Sequence, residues 1–220
     1  MTAMTDATGR GESREAGLAR SRYFDDSYFE VPQLFSQALQ IHHVRGMRPE
    51  SVLEIGIGNG FTSSFLRLAG VPVTTADINP HLEPDVCGSI EALPALLAGR
   101  SFDVVVCCEV LEHMPLERLD DNLRVLRGLG RRLFLTLPAY ARWIGFGGFL
   151  KLPWRSPRLV DLNVGLPKST NLADGPHFWE VGWNARCSRK SIEQRLAGLY
   201  GRVRTGRFAV NPAHVFFIAE

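Results

Sequence analysis

A short apolar strand that runs straight into three glycines constrains this chain more than any other feature. In VLEIGIGNG, residues 52–60, three apolar positions interrupted only by Glu54 lead into Gly56, Gly58 and Gly60, and a helical pattern opens at Phe61. Glycines in such a turn let the backbone approach a ligand, because side chains there would collide with it or forbid the required dihedrals. The helix that follows presents its free N–H groups to the same place. Strand, glycine turn and helix together form the first half of a βαβ unit.

The pattern continues along the chain. Residues 71–76 are rich in β-branched side chains and stop at Asp77, and residues 85–87 offer a brief third strand. Residues 102–107 form an uninterrupted apolar run, as expected of a strand buried on both faces of a parallel sheet. Residues 132–137 give a fifth strand. Helices are predicted over 29–44, 61–69, 91–98 and from Leu116 through Leu126, and again over 188–199 with Ser188 as N-cap. Two last strands, 202–210 and 214–219, flank Asn211-Pro212, which reads as a tight turn between antiparallel partners.

Residues 1–20 carry almost no large apolar side chains and read as a mobile tail, leaving 21–220 as one domain. Residues 138–184 are rich in Gly, Pro, Phe and Trp without a sustained period, and read as an inserted lid or substrate-facing region. Within it, residues 145–158 mix Phe146, Phe149, Leu150 and Trp154 with Lys151, Arg155 and Arg158, suiting a lid, an interfacial patch or an oligomer contact.

Several residues point to ligand chemistry. Glu54 ends a buried strand, where a carboxylate needs donors or a cation. Asp77 stands where an acid can accept both hydroxyls of a ribose. A nicotinamide fingerprint would place its third glycine where this chain has Phe61, which weakens a reductase reading.

These motifs resemble the class I S-adenosylmethionine-dependent methyltransferases, in particular the broad group with an ExGxGxG first motif and an EVLEH fourth motif. The stretches that carry the resemblance are 52–60, GSIEALP over 88–94 and SFDVVVCCEVLEHMP over 101–115. It implies an α/β fold with a Rossmann-like, seven-stranded, mostly parallel sheet, helices on both faces and a C-terminal antiparallel hairpin. It also implies S-adenosylmethionine as cofactor, held by Glu54, Gly56, Gly58, Gly60, Asp77, Ile78, Ser89, Ile90 and Glu109. Many relatives have an aspartate in place of Ser89, and Asp85 is a nearby substitute acceptor for adenine. The cysteine pair 107–108 falls at the strand end that faces the cofactor in such proteins.

Methyl transfer is an in-line displacement that asks the protein mainly to align donor and acceptor and exclude water. A base is needed when the acceptor is a hydroxyl or a protonated amine. Candidates for catalysis are His113, just past Glu109, and His177 with Glu180 in GPHFWEVGW, a stretch resembling the HxWE segment of some relatives. The competing roles are a structural hydrogen bond for His113 and simple packing for the aromatics around His177.

The chain has 220 residues, 45% hydrophobic and 22% charged, so a disordered or collagen-like class is excluded. Four cysteines without CxxC spacing point to reduced thiols in a cytoplasmic protein and to no structural metal. Residues 1–20 lack the apolar run of a signal peptide, and no run reaches the roughly 18 apolar residues of a membrane span. From Asn122 through Val160 there is no acid, while arginines and Lys151 recur. The leading expectation is methyl transfer to oxygen or nitrogen of a small molecule such as a sugar or secondary metabolite. An RNA acceptor tracked by the basic stretches and a non-catalytic cofactor-binding module are the alternatives.

Overall fold

The computed structural model describes residues 11–220, so residues 1–10 of the expected tail lie outside the described residues. Seven strands form one sheet: β1 (Val52–Ile55), β2 (Val73–Asp77), β3 (Val86–Cys87), β4 (Phe102–Cys108), β5 (Gly130–Pro138), β8 (Val203–Phe208) and β9 (Asn211–Ala219). Their spatial order is β3-β2-β1-β4-β5-β9-β8. The first five run parallel, with Val52 opposite both Val73 and Val104. Only β9 inserts antiparallel to β5, pairing Leu133 with Ala219, and β8 pairs antiparallel with β9.

Side-chain alternation divides the core in two. Val52, Val104, Val106 and Phe134 point to one face and pack under Ile41 and Val44 of α2 (Val31–Gly46) and Leu66 of α3 (Phe61–Leu68). Leu53, Ile55, Val105 and Leu133 point to the other. There they meet α4 (Leu93–Leu96), α5 (Leu119–Leu129) and α6 (Arg189–Tyr200). Sheet residues on both faces are therefore buried, which is why the strands read as continuous apolar runs. The Ser188 side chain accepts from the Ser191 N–H and caps α6 as expected.

Three sequence expectations change. First, the second half of the expected tail is structured. A short helix α1 (Glu12–Ala16) and turns of 3-10 helix at Arg20–Phe24 and Asp26–Phe29 precede α2. This segment buries little apolar surface and is fastened by polar contacts instead: Glu12 to Arg118, Arg20 to Glu83 and the Asn79 Nδ2 amide to the Leu18 carbonyl. Composition alone does not reveal such anchors. Second, the last hairpin turns at Ala209-Val210 rather than at Asn211-Pro212, because Phe208 pairs with Asn211 and the register shifts after Arg207.

Third, residues 138–184 hold two regular strands, β6 (Arg142–Leu150) and β7 (Arg158–Leu166), joined in a separate two-stranded ribbon. Their alternation was hidden because Gly145, Gly147 and Gly148 break the side-chain pattern and the apolar positions stay exposed. The segment after the ribbon straps back onto the sheet. Val181 N–H donates to the Pro138 carbonyl at 2.8 Å, Tyr140 N–H to the Val181 carbonyl at 2.9 Å and Phe178 N–H to the Glu112 carbonyl at 2.8 Å. Trp179 is fully buried beside them, its Nε1 donating to the Met114 carbonyl at 3.1 Å.

A candidate active site at the carboxyl edge of the sheet

The parallel strands end together at their carboxyl edge, where a cavity of about 380 Å³ opens over the glycine turn. In α/β sheets this edge, beside the point where strand order reverses, is where ligands bind. Here β1 has β2 on one side and β4 on the other, so the crevice lies between the loops that follow β1 and β4. The floor is the turn itself: Gly56 at φ 78° and Gly58 at φ 52° take left-handed conformations that favour glycine. A Cβ on Gly56 would stand 2.2 Å from a methyl of Val110.

Of the residues expected to hold a cofactor, Glu54, Gly56, Gly58, Asp77, Ile78, Ser89, Ile90 and Glu109 all line this cavity. Gly60 does not. It stands one step back as the left-handed N-cap of α3, so its glycine serves the turn rather than ligand contact. Asp85 also lies away from the cavity: its carboxylate accepts from the Thr75 N–H and hydroxyl and pairs with Arg67, which leaves Ser89 as the polar group at that wall. Of the cysteine pair, Cys108 faces the cavity while Cys107 is buried in the core on the opposite face.

Two carboxylates make the cavity selective. Burial pushes the Glu54 carboxyl up to about 7 against a hydrogen bond from Ser63 and the charge of Arg67, and its Oε2 has no partner. A buried, unpartnered carboxylate oxygen on a cavity wall calls for a cationic or hydrogen-bond-donating group in the ligand. Asp77 accepts from the Ile57 N–H and the Asn79 N–H, both at 2.8 Å, which fixes its plane. Each oxygen keeps a lone pair for a ligand hydroxyl. Burial raises its pKa despite those two backbone donors.

The opposite wall is a histidine–carboxylate cluster. Glu112, His113 and His177 bring one ligand atom each to within 4.8 Å of one another. The straps described above place His177 here, because the Phe178 N–H to Glu112 carbonyl bond sets the two segments side by side. Glu112 is fully buried with neither carboxylate oxygen partnered. Burial, then the neighbouring charge of Glu109, hold its carboxyl well above the usual carboxylate range. Glu109 itself sits at φ 55°, a strained conformation for a residue with a side chain, with its Oε1 buried and unpartnered. Burial lowers the pKa of His113, opposed by Glu15, whose carboxylate lies 3.4 Å from His113 Nδ1.

Glu180, a catalytic candidate from sequence, does not line this cavity. Its Oε1 meets His177 Nδ1 at 3.0 Å and its Oε2 accepts from Lys168 Nζ at 2.6 Å. Burial works to raise its pKa, but the bonds from His177 and Lys168 outweigh it and hold the carboxyl below its usual range. A carboxylate bound to one ring nitrogen fixes the tautomer and leaves the other nitrogen free toward the cavity. Glu180 is thus a positioning residue for His177. Two His nitrogens and an unpartnered carboxylate form a donor set suited to a divalent cation.

Sequence reasoning missed the cover of the site. Glu15, Leu18, Tyr23 and Tyr28 from the N-terminal segment, with Gln37 and Gln40 from α2, complete the cavity wall. The aromatic run YFDDSYF at 23–29 was the one signal available. The basic stretches are partly paired within the fold: Arg131 and Arg132 bind Asp103, Arg124 binds Asp121, Arg186 binds Glu117, Arg195 binds Asp120 and Arg202 binds Glu220. These pairs weaken a phosphate track along those six positions.

Comparison with known proteins agrees with the fold. Residues 53–134 match the family model described as a methyltransferase domain. A ubiquinone biosynthesis O-methyltransferase of Azotobacter vinelandii is 38% identical over 87 residues, 33% of this chain and 37% of that protein. Another, from Albidiferax ferrireducens, is 30% identical over 129 residues, 51% of this chain and 46% of that protein. The chain therefore spans less than half the length of these curated relatives. Among solved structures, the methyltransferase domain of bacterial CtHen1-CN shares the fold with a TM-score of 0.54 at 16% identity, over 84% of this chain and 97% of that one.

Proposed function

We propose that this chain, whose residues 53–134 match a methyltransferase-domain family and lie in a seven-stranded, mostly parallel sheet, transfers a methyl group from S-adenosylmethionine to a hydroxyl oxygen of a small-molecule acceptor, assisted by a divalent cation. The observation that carries the reading is one cavity lined on one side by Glu54, the glycine turn and Asp77, and on the other by Glu112, His113 and His177. The names of the relatives, O-methyltransferases of ubiquinone biosynthesis, favour oxygen as the methylated atom.

Each residue has a stated task in this reading. The unpartnered Glu54 oxygen receives the ammonium group of the cofactor, and Asp77, held flat by two backbone donors, receives the ribose hydroxyls. Ile78 and Ile90 flank the adenine, with Ser89 at its edge. The cofactor supplies a sulfonium-activated methyl group. A bound cation supplies charge that lowers the pKa of an acceptor hydroxyl. Glu112, His113 and His177 hold that cation, Glu180 and Lys168 keep His177 oriented, and Tyr23, Tyr28 and α1 keep water out. His113, whose pKa burial lowers, also lines the cavity where an acceptor proton would be taken. Among the described residues no helix is long and apolar enough to cross a membrane.

The test is methyl transfer from radiolabelled cofactor to a panel of phenols and catechols, before and after chelation. Activity lost on chelation and restored by Mg²⁺ or Mn²⁺ is the expected result. His177→Ala should lower kcat by about 10- to 100-fold while cofactor Kd changes less than about threefold, as expected for loss of a group at the reacting oxygen. Transfer that is indifferent to chelator and to His177→Ala would return His177 to a packing role.

A further inference from the structure

The ribbon of β6 and β7 has two unlike faces. Nine residue pairs run from Arg142 opposite Leu166 to Leu150 opposite Arg158, so alternate positions point the same way. One face lies against the domain. Asn163 Nδ2 donates to the Ala209 carbonyl at 3.0 Å, and the Arg207 guanidinium stacks 4.6 Å from the centre of the Trp143 ring. A Cβ at Gly147 would stand 2.2 Å from the Ala209 oxygen, so glycine there permits the close approach.

The other face carries Ile144, Phe146, Val160, Leu162, Val164 and Leu166, all exposed, with Phe146 at 65%. The charges on this face are Arg142 and Arg158 at its two ends, both cationic. The turn between the strands adds Lys151, Arg155 and Trp154, the last completely exposed. An exposed apolar plate of this extent marks an interaction surface. A cationic rim with an aromatic tip beside an apolar plate is the pattern of a segment that lies in the headgroup region of a bilayer.

We propose that the outer face of the β6-β7 ribbon docks on an anionic lipid surface. Charge complementarity decides between this occupant and a second copy of the chain. Two copies joined plate to plate would bring cationic rims together, and the acid within the two strands, Asp161, lies on the opposite face, where it accepts from Asn163 Nδ2. Anionic headgroups satisfy the rim and acyl chains satisfy the plate at once. Depth is limited by the backbone: an isolated two-stranded ribbon leaves the outer N–H and C=O groups of both edges unpaired, so it rests at the boundary rather than entering the hydrocarbon. The chain enters the ribbon just after Pro138 and comes back to the cavity wall at Pro176 and His177. Lipid docking is independent of methyl transfer and is read without any assay of activity.

The experiment is co-sedimentation of the full chain with vesicles of pure phosphatidylcholine and of phosphatidylcholine with phosphatidylglycerol. Binding to the anionic vesicles should exceed that to the neutral ones by about tenfold or more, and should fall at about 0.5 M salt. Phe146→Ser with Leu162→Ser should abolish it by removing a cross-strand pair of the plate. Lys151→Glu with Arg155→Glu, two exposed positions that do not burden folding, should lower it by about tenfold. Equal sedimentation with both vesicle types, or binding unchanged in the charge-reversed variant, overturns the proposal. So does a stable dimer in analytical ultracentrifugation that the Phe146→Ser, Leu162→Ser variant converts to monomer, which assigns the plate to a second copy.

Discussion

Glu112→Gln abolishes divalent-cation binding, measured calorimetrically with Mn²⁺, and lowers methyl transfer about 100-fold or more, while cofactor affinity stays within about threefold. The expectation comes from the environment of one carboxyl group. Glu112 is fully buried, neither of its oxygens has a partner, and the charge of Glu109 adds to the cost of ionising it. Burying such a group is costly unless something compensates it, and the proposed cation between Glu112, His113 and His177 would do so. Glutamine keeps the shape but not the charge. The metal-free variant should therefore melt higher than the metal-free parent, because an uncompensated buried carboxylate has been removed. A lower melting temperature together with unchanged turnover would make Glu112 a structural residue.

Gly56→Val should lower cofactor affinity by about 100-fold or more in a protein that still folds, since it breaks the turn that forms the cavity floor. The backbone there is left-handed at φ 78°, and an added Cβ would meet the Val110 side chain at 2.2 Å. Both the turn and the loop after β4 must then move, and these are the two loops that enclose the crevice. The comparison at Gly58 separates strain from collision. Its φ of 52° is also left-handed, but the nearest atom to an added Cβ is a Tyr23 ring carbon at 4.0 Å. Gly58→Ala should accordingly be milder than Gly56→Ala by titration, and equal losses at both positions would show that turn strain alone sets affinity.

What the sequence disclosed follows from how local each signal is. The glycine turn and Asp77 were legible because a strand, its turn and the acid ending the next strand occupy one contiguous unit. The parallel pairing of the first strands followed from the alternation of strands and helices, and the antiparallel end from the closely spaced last two strands. Glu112 was in plain view within EVLEH, yet its chemistry appears only when His177 is strapped beside it by the Phe178 to Glu112 bond. Glu180 looked catalytic for the same reason in reverse, since spacing cannot tell a group facing the cavity from one that orients its neighbour. The N-terminal cover was invisible to apolar periodicity because Glu12, Leu18 and Arg20 fasten it through polar contacts. The ribbon escaped because its glycines interrupt the alternation that identifies strands.

Calorimetric titration of the purified chain with S-adenosylmethionine, and separately with NADH, tests the central claim most directly. The account predicts micromolar binding of S-adenosylmethionine and none of NADH, with the former lost in Gly56→Val. Binding of NADH, or no binding of S-adenosylmethionine with or without Mg²⁺, would contradict it.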